Sequence, residues 1–193
     1  MHAFFALISR MKHISRWSLM RNSERENVQE HSHMTAVLAH ALAVVSRDLF
    51  GEDCDPGLAA AAALYHDATE IFTGDMPTPV KYLNPELTAA YRAAEKSAGG
   101  RLLASLPPEI APAYENLILG TGGKTARLVH AADKLAAYIK CLEEERAGNR
   151  EFRSAAVGLR AKLSALALPE VEWFMSNCTE AFGLTIDELN GGE

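Results

Sequence analysis

The strongest constraint on this chain is the recurrence of apolar side chains at three- and four-residue intervals. Between Asn27 and Phe50 they fall at Met34, Val37, Leu38, Ala41, Leu42, Val45 and Leu49, the spacing that lines one helix face against a core. The same spacing returns over about 124–147, at Leu128, Val129, Ala132, Leu135, Ala136, Ile139 and Leu142. A half-buried strand needs alternation instead, and no convincing alternating run occurs.

The remaining segments are punctuated to match. Phe4, Phe5, Leu7, Ile8 and Met11 predict a short amphipathic helix over 3–12, and 14–22 reads as an ordered loop. Asp55-Pro56 opens a further helix. Its alanine run, 59–63, leads through Leu64 and Tyr65 into His66-Asp67, so the pair is expected on a rigid helix. Gly74, Pro77 and Pro79 end that helix in a polar turn. A helix over 85–105 follows, with Gly99-Gly100 weakening its middle or marking a bend. Shorter helices are expected over 109–119, 151–167 and 170–182, with a last piece through Leu189. Gly120–Thr125 has Ile118 where a phosphate loop needs its first glycine and follows no strand, so it reads as a turn. The expectation is an all-α single-domain bundle of about seven to nine helices over residues 1–193.

Composition narrows the function. A formal net charge of −6 argues against a binder of nucleic acid polymers, though not against a small anionic substrate. Cys54, Cys141 and Cys178 form no CxxC pair, which supports neither a zinc ribbon nor a redox motif and points to a reduced, cytoplasmic compartment. The apolar run Phe4–Ile8 is cut by Ser9-Arg10 and lacks the features of a signal peptide. No stretch approaches the ~20 apolar residues that span a bilayer, so no membrane partner is expected.

Four polar residues lie within apolar helical segments: His31, His66, Asp67 and Asp133. Burying a carboxylate without a partner is costly. Two imidazoles and two carboxylates make a suitable donor set for one divalent transition metal, with positions left for water and substrate. His33 competes with His31, but the two point about 200° apart on a helix and cannot serve one site. His130 lies three residues before Asp133 and reads as a neighbour of the site or a solvated group. Arg16-Trp17 can offer a phosphate fork and a flat stacking face, or Trp17 can simply plug the core's edge.

Glu30-His31-Ser32, His66-Asp67-Ala68-Thr69-Glu70 and Ala131-Ala132-Asp133 follow the His…His-Asp…Asp order of the HD-domain metal-dependent phosphohydrolases. More narrowly, Ser15–Asn22, Glu26–Ser32 and Thr73–Tyr82 resemble the bacterial 5′-deoxynucleotidases of that superfamily, to about residue 150. The Glu-His-Ser match selects His31 over His33. The resemblance implies hydrolysis of deoxyribonucleoside 5′-monophosphates by a homodimer that uses cobalt, manganese or copper, with zinc, nickel or iron as possible occupants. It implies metal ligands at His31, His66, Asp67 and Asp133, and substrate contacts at His31 and Asp67. Arg16 would orient the phosphate, Trp17 would crowd the sugar 2′ position, and Asp75, Met76, Pro77 and Thr78 would contact the nucleoside. Glu70 would be a catalytic carboxylate, and its spacing from Asp67 is expected to put both on one helix face. Asp67 and Arg16 complete the expected catalytic group. The alternatives are another HD-type nucleotide phosphohydrolase, acting on triphosphates or phosphodiesters, or a nucleotide-binding module without turnover.

Overall fold

A helix enclosed on every side along part of its length belongs in the middle of a protein, and one helix here meets that description. Every residue from Leu135 to Cys141 is buried in α8 (Gly123–Arg146). The computed structural model describes residues 1–191, so the last two residues of the expected 1–193 domain lie outside the described residues. Around α8 pack α2 (Val28–Phe50), α3 (Pro56–Tyr65) and α9 (Arg153–Ala165), with α10 (Pro169–Asn177) against α2. Leu42, Leu128 and Leu135 are fully enclosed in this core; each such side chain contributes about 2 kcal/mol by leaving water.

A second, smaller core gathers Phe4 and Met11 from the N-terminal segment with Ala68, Leu102 and Ile118. It involves α1 (Phe4–Ile8), α6 (Pro85–Ala104) and α7 (Ala111–Leu119). Two four-residue helices, α4 (Glu70–Thr73) and α5 (Thr78–Lys81), join α3 to α6, and α11 (Ile186–Leu189) closes the described chain. Seven of these helices have nine or more residues, and no strand is present among the described residues. The fold is all-α, as expected, and its seven longer helices fall within the expected number.

The structure corrects several details. Val37 and Leu49, expected on the core face of α2, are 50% and 56% exposed. The face that packs is shifted onto small residues, Ala36, Ala39 and Ala43, which let α2 approach the alanines Ala59 and Ala63 of α3. Residues 9–13 tighten into a 3₁₀ turn instead of continuing α1. Gly99-Gly100 does not break α6, which runs from Pro85 to Ala104. A Cβ at Gly99 would lie 2.8 Å from Leu119 Cδ2, so the glycine serves the close approach of α6 and α7.

His66-Asp67 is also placed differently. The pair lies just beyond the end of α3, in a tight turn, and not within the helix. There the backbone bonds shorten to three-residue steps, Ala68 N to Tyr65 O and Glu70 N to Asp67 O, both 3.0 Å. His66 Nδ1 donates to Ala63 O at 2.7 Å, taking a carbonyl of the helix's last turn. The alanine run therefore delivers the pair to the site without containing it. Asp67 and Glu70 consequently do not share a helix face, because Glu70 begins α4.

Candidate metal and phosphate site

The site is assembled from three well-fixed segments and one strained loop. A capping box starts α2: Glu30 N donates to Asn27 Oδ1 and Asn27 N to Glu30 Oε2, both at 3.0 Å. This fixes the first turn and with it His31, which is wholly buried. The turn after α3 supplies His66 and Asp67, and the middle of α8 supplies Asp133.

These four side chains converge. His31 Nε2 lies 3.1 Å from Asp133 Oδ1 and 3.6 Å from Asp67 Oδ2. His66 Nε2 lies 3.1 Å from Asp67 Oδ2 and 4.0 Å from Asp133 Oδ1. Donor atoms of His31, His66 and Asp133 all fall within 4.8 Å of one another. The bond from Nδ1 of His66 to Ala63 O leaves Nε2 as the nitrogen that faces the cluster, and that nitrogen is buried without a hydrogen-bond partner. A metal-ligating histidine is oriented by a backbone carbonyl in this way. An orphaned nitrogen facing two carboxylates fits a divalent cation.

The electrostatics agree. Burial works against the charged form of His66, but Asp67 and Asp133 outweigh it and raise its pKa to about 9, so without a cation Nε2 holds a proton that a metal ion bound there would displace. Burial would likewise raise Asp133, yet the bond from His31 and the nearby histidines and Arg16 hold it far below the carboxylate range. Asp67 is lowered too, the histidines overcoming its burial. Glu70 goes the other way: burial first, then the charges of Asp67 and Asp75, push it up to about 10. Its Oε2 is buried without a partner. One group of carboxyls is thus divided into ionised oxygens at the cluster and a protonated acid beside it.

Arg16 reaches the same place from the loop before α2, Nη1 lying 3.4 Å from Asp67 Oδ2. Trp17 packs at the edge of the main core with its ring 5.2 Å from Phe152. It therefore does plug that edge, yet its backbone is in the left-handed region at φ 56°, a strained state for a bulky residue. Asp75 lies on the polar turn near Arg16; burial raises its pKa, and Arg16 opposes the rise. Met76 and Pro77 are half-buried and Thr78 is exposed. None of these three side chains hydrogen-bonds the cluster among the described residues. The turn is tied to α6 by Tyr91 Oη donating to Gly74 O at 3.2 Å, where Gly74 adopts φ +71°. His33 is exposed, as its opposite helical angle requires, and the exposed His130 lines the neighbouring cleft.

That cleft, about 560 Å³ between α6, α7 and α8, has His66 and Asp133 at one side, a volume in the range of nucleotide-sized ligands. Ile118, Leu119 and Val129 give it apolar walls, and Arg92, Glu95 and Lys96 bring mixed charge. Lys81, at the end of the polar turn, pairs with Glu95 at 2.9 Å.

Sequence reasoning missed Glu26. Its Oε2 accepts from Arg16 Nε and from Trp17 Nε1, each at 2.9 Å. A glutamate in the polar run Ser23-Glu24-Arg25-Glu26 carries no local signal of that role.

An all-helical frame that brings two histidines and two aspartates to one point is an HD-domain fold with a candidate metal site. The chain belongs to the YfbR-like 5′-deoxynucleotidase family, whose model matches residues 3–182. A 5′-deoxynucleotidase of Shewanella oneidensis is 45% identical over 192 residues, 98% of each chain. The 5′-deoxynucleotidase YfbR of Escherichia coli is 44% identical over 189 residues, 97% of this chain and 95% of its own. The fold is shared with an HD-domain phosphohydrolase of Listeria innocua, with a TM-score of 0.81 at 23% identity, over 94% of this chain and 88% of that one. It is also shared with the cyanophage S-2L HD phosphohydrolase DatZ, solved with dA and one catalytic Zn²⁺ ion, with a TM-score of 0.65 at 20% identity over 91% of this chain and 95% of that one. No helix among the described residues is long and apolar enough to cross a membrane.

Proposed function

We infer that this chain is a metal-dependent 5′-deoxynucleotidase, hydrolysing deoxyribonucleoside 5′-monophosphates to the deoxynucleoside and phosphate. The observation that carries the reading is the convergence of His31, His66, Asp67 and Asp133 beside Arg16, in a chain of this family. One HD-type domain performs the reaction. A divalent ion held by those four residues supplies, when bound, polarisation of a phosphoryl oxygen and a water acidic enough to attack near neutral pH. Nitrogen and carboxylate donors suit cobalt, manganese or copper.

The protein's own groups divide the remaining work. Arg16 presents N–H groups toward the space beside Asp67, where they neutralise charge on the phosphoryl oxygens. Glu70, kept protonated by its burial, donates its proton to the departing 5′ oxygen of the sugar. Asp75 accepts from the 3′-hydroxyl, and Met76, Pro77 and Thr78 flank the nucleoside. Trp17 fills the space a 2′-hydroxyl needs and leaves that hydroxyl without a partner. The reading includes a cytoplasmic homodimer, checked by light scattering of the purified protein.

The testing experiment is a panel of dAMP, AMP, dADP and dATP with released phosphate measured, before and after chelation. Manganese- or cobalt-dependent release from dAMP, faster than from AMP, is the expected result. Faster release from dATP would favour a triphosphohydrolase instead, and binding without release would favour a non-catalytic module. Trp17→Ala should narrow the difference between dAMP and AMP; an unchanged ratio would remove Trp17 from sugar selection.

A further inference from the structure

Arg16 and Trp17 are neighbours in sequence, yet they are assigned separate tasks, one on the phosphate and one on the sugar. Both are held by a single oxygen. Glu26 Oε2 accepts from Arg16 Nε and Trp17 Nε1 at 2.9 Å each, with the Arg16 and Glu26 side chains only 11% and 15% exposed. The backbone repeats the pairing, Arg16 N donating to Glu26 O at 3.0 Å and Val28 N to Ile14 O at 2.9 Å. Glu26 is in turn one residue before the capping box that places His31.

The geometry decides what the guanidinium can do. Glu26 occupies its Nε, and Nη1 is left facing Asp67 at 3.4 Å. Without Glu26 the fork is free to turn and close fully on Asp67, covering a carboxylate that the cluster needs and masking its own donors. Trp17 is held at φ 56°, a state that persists only when the surroundings over-determine it. Its indole N–H bond to Glu26 is one such constraint, and the packing on Phe152 is another.

We propose that Glu26 is a positioning residue that sets phosphate orientation and deoxyribose selection together, by aligning Arg16 and Trp17 from one carboxylate oxygen. This rests on the nucleotidase reading above. The proposal predicts a linked defect: losing Glu26 slows dAMP hydrolysis through Arg16 and relaxes sugar choice through Trp17.

The experiment is Glu26→Gln, with kcat and KM measured for dAMP and AMP, alongside bound metal and thermal melting. The expected result is a fall of about 10- to 100-fold in kcat for dAMP, with metal content retained. The dAMP-to-AMP ratio of kcat/KM should shrink by about tenfold, the effect of one charge-assisted hydrogen bond. A purely structural glutamate would lower the melting temperature and leave the ratio unmoved; that result overturns the proposal. A wild-type protein that releases no phosphate from dAMP overturns the nucleotidase reading itself; one that releases it equally from dAMP and AMP overturns the proposal alone. If the glutamine variant does not fold, Glu26→Asp keeps the charge and shortens the reach, and the same narrowing of the ratio is required of it.

Discussion

Helix α8 buries charge in two places, and the two are built differently. Toward its C-terminal end, Lys140 and Glu144 form an ion pair in which nothing is left over. Glu144, 1% exposed, accepts from Lys140 at 2.6 Å, Asn149 Nδ2 at 2.7 Å, Ser23 N at 2.8 Å and Glu24 N at 3.1 Å. Lys140 also donates to Glu24 O at 2.7 Å. Two turns earlier, Asp133 sits with His31, His66 and Asp67, where His66 Nε2 has no partner, and neither has Oε2 of Glu70 near Asp67. A satisfied network holds structure, and here it fastens the loop that ends at Glu26. A convergent set with orphaned atoms is left unsatisfied within the protein itself, as the proposed binding of a cation and a phosphate requires.

The contrast can be broken by mutation. The largest effect belongs to the unsatisfied cluster: Asp67→Asn should cut phosphate release from dAMP by more than about 100-fold, while the melting temperature of the metal-free protein stays level or rises. A variant with near-normal rates would remove Asp67 from the ligand set. Glu70→Gln comes next, with kcat about 100-fold lower and metal content retained; loss of the metal instead would make Glu70 a ligand.

The satisfied pair should fail in the opposite way. Glu144→Ala leaves Lys140 buried without its counter-charge, which costs about 3–5 kcal/mol of stability, read by denaturant unfolding. Folded protein at low temperature should still bind metal. The pH dependence sharpens the point. The Lys140 bond and the donors from Ser23, Asn149 and Glu24 overcome the burial of Glu144 and lower its pKa from 4.5 to about 2. A depressed carboxyl contributes stability fully above its unfolded value, and that contribution is lost as the pH falls through the folded value. Wild-type stability should therefore decline between about pH 4.5 and 2 more steeply than that of Glu144→Gln. Equal slopes would deny the pair this role. The smallest effect is Gly99→Ala in α6, below about 1 kcal/mol. The atom in its way, Leu119 Cδ2, ends a side chain that is 49% exposed and can move.

The same contrast explains what could be read from the amino acids alone. The convergence of the candidate metal set was legible because each member interrupts an apolar helical frame, and an expensive interruption needs a reason. Its residues met as expected, Asp133 included. The His66-Asp67 turn was misplaced by a residue or two because alanine propensity says nothing about a side chain that takes a helix carbonyl for itself, as His66 does at Ala63. The face of α2 was misread because size was taken for burial, whereas close packing of α2 on α3 selects Ala36, Ala39 and Ala43 and leaves Val37 and Leu49 outside. Glu26 and Glu144 were invisible as partners. Glu144 has its lysine at a readable four-residue spacing, but its other donors come from Ser23 and Glu24 across the fold. Glu26 finds Trp17 and Arg16 only once the loop has closed.

The central claim is that four side chains from α2, the turn after α3, and α8 enclose one cation. Anomalous scattering from a crystal grown with manganese or cobalt tests it directly. The account predicts a single strong peak per chain between His31, His66, Asp67 and Asp133. A peak elsewhere, or none at that point in protein that turns over dAMP, would contradict it.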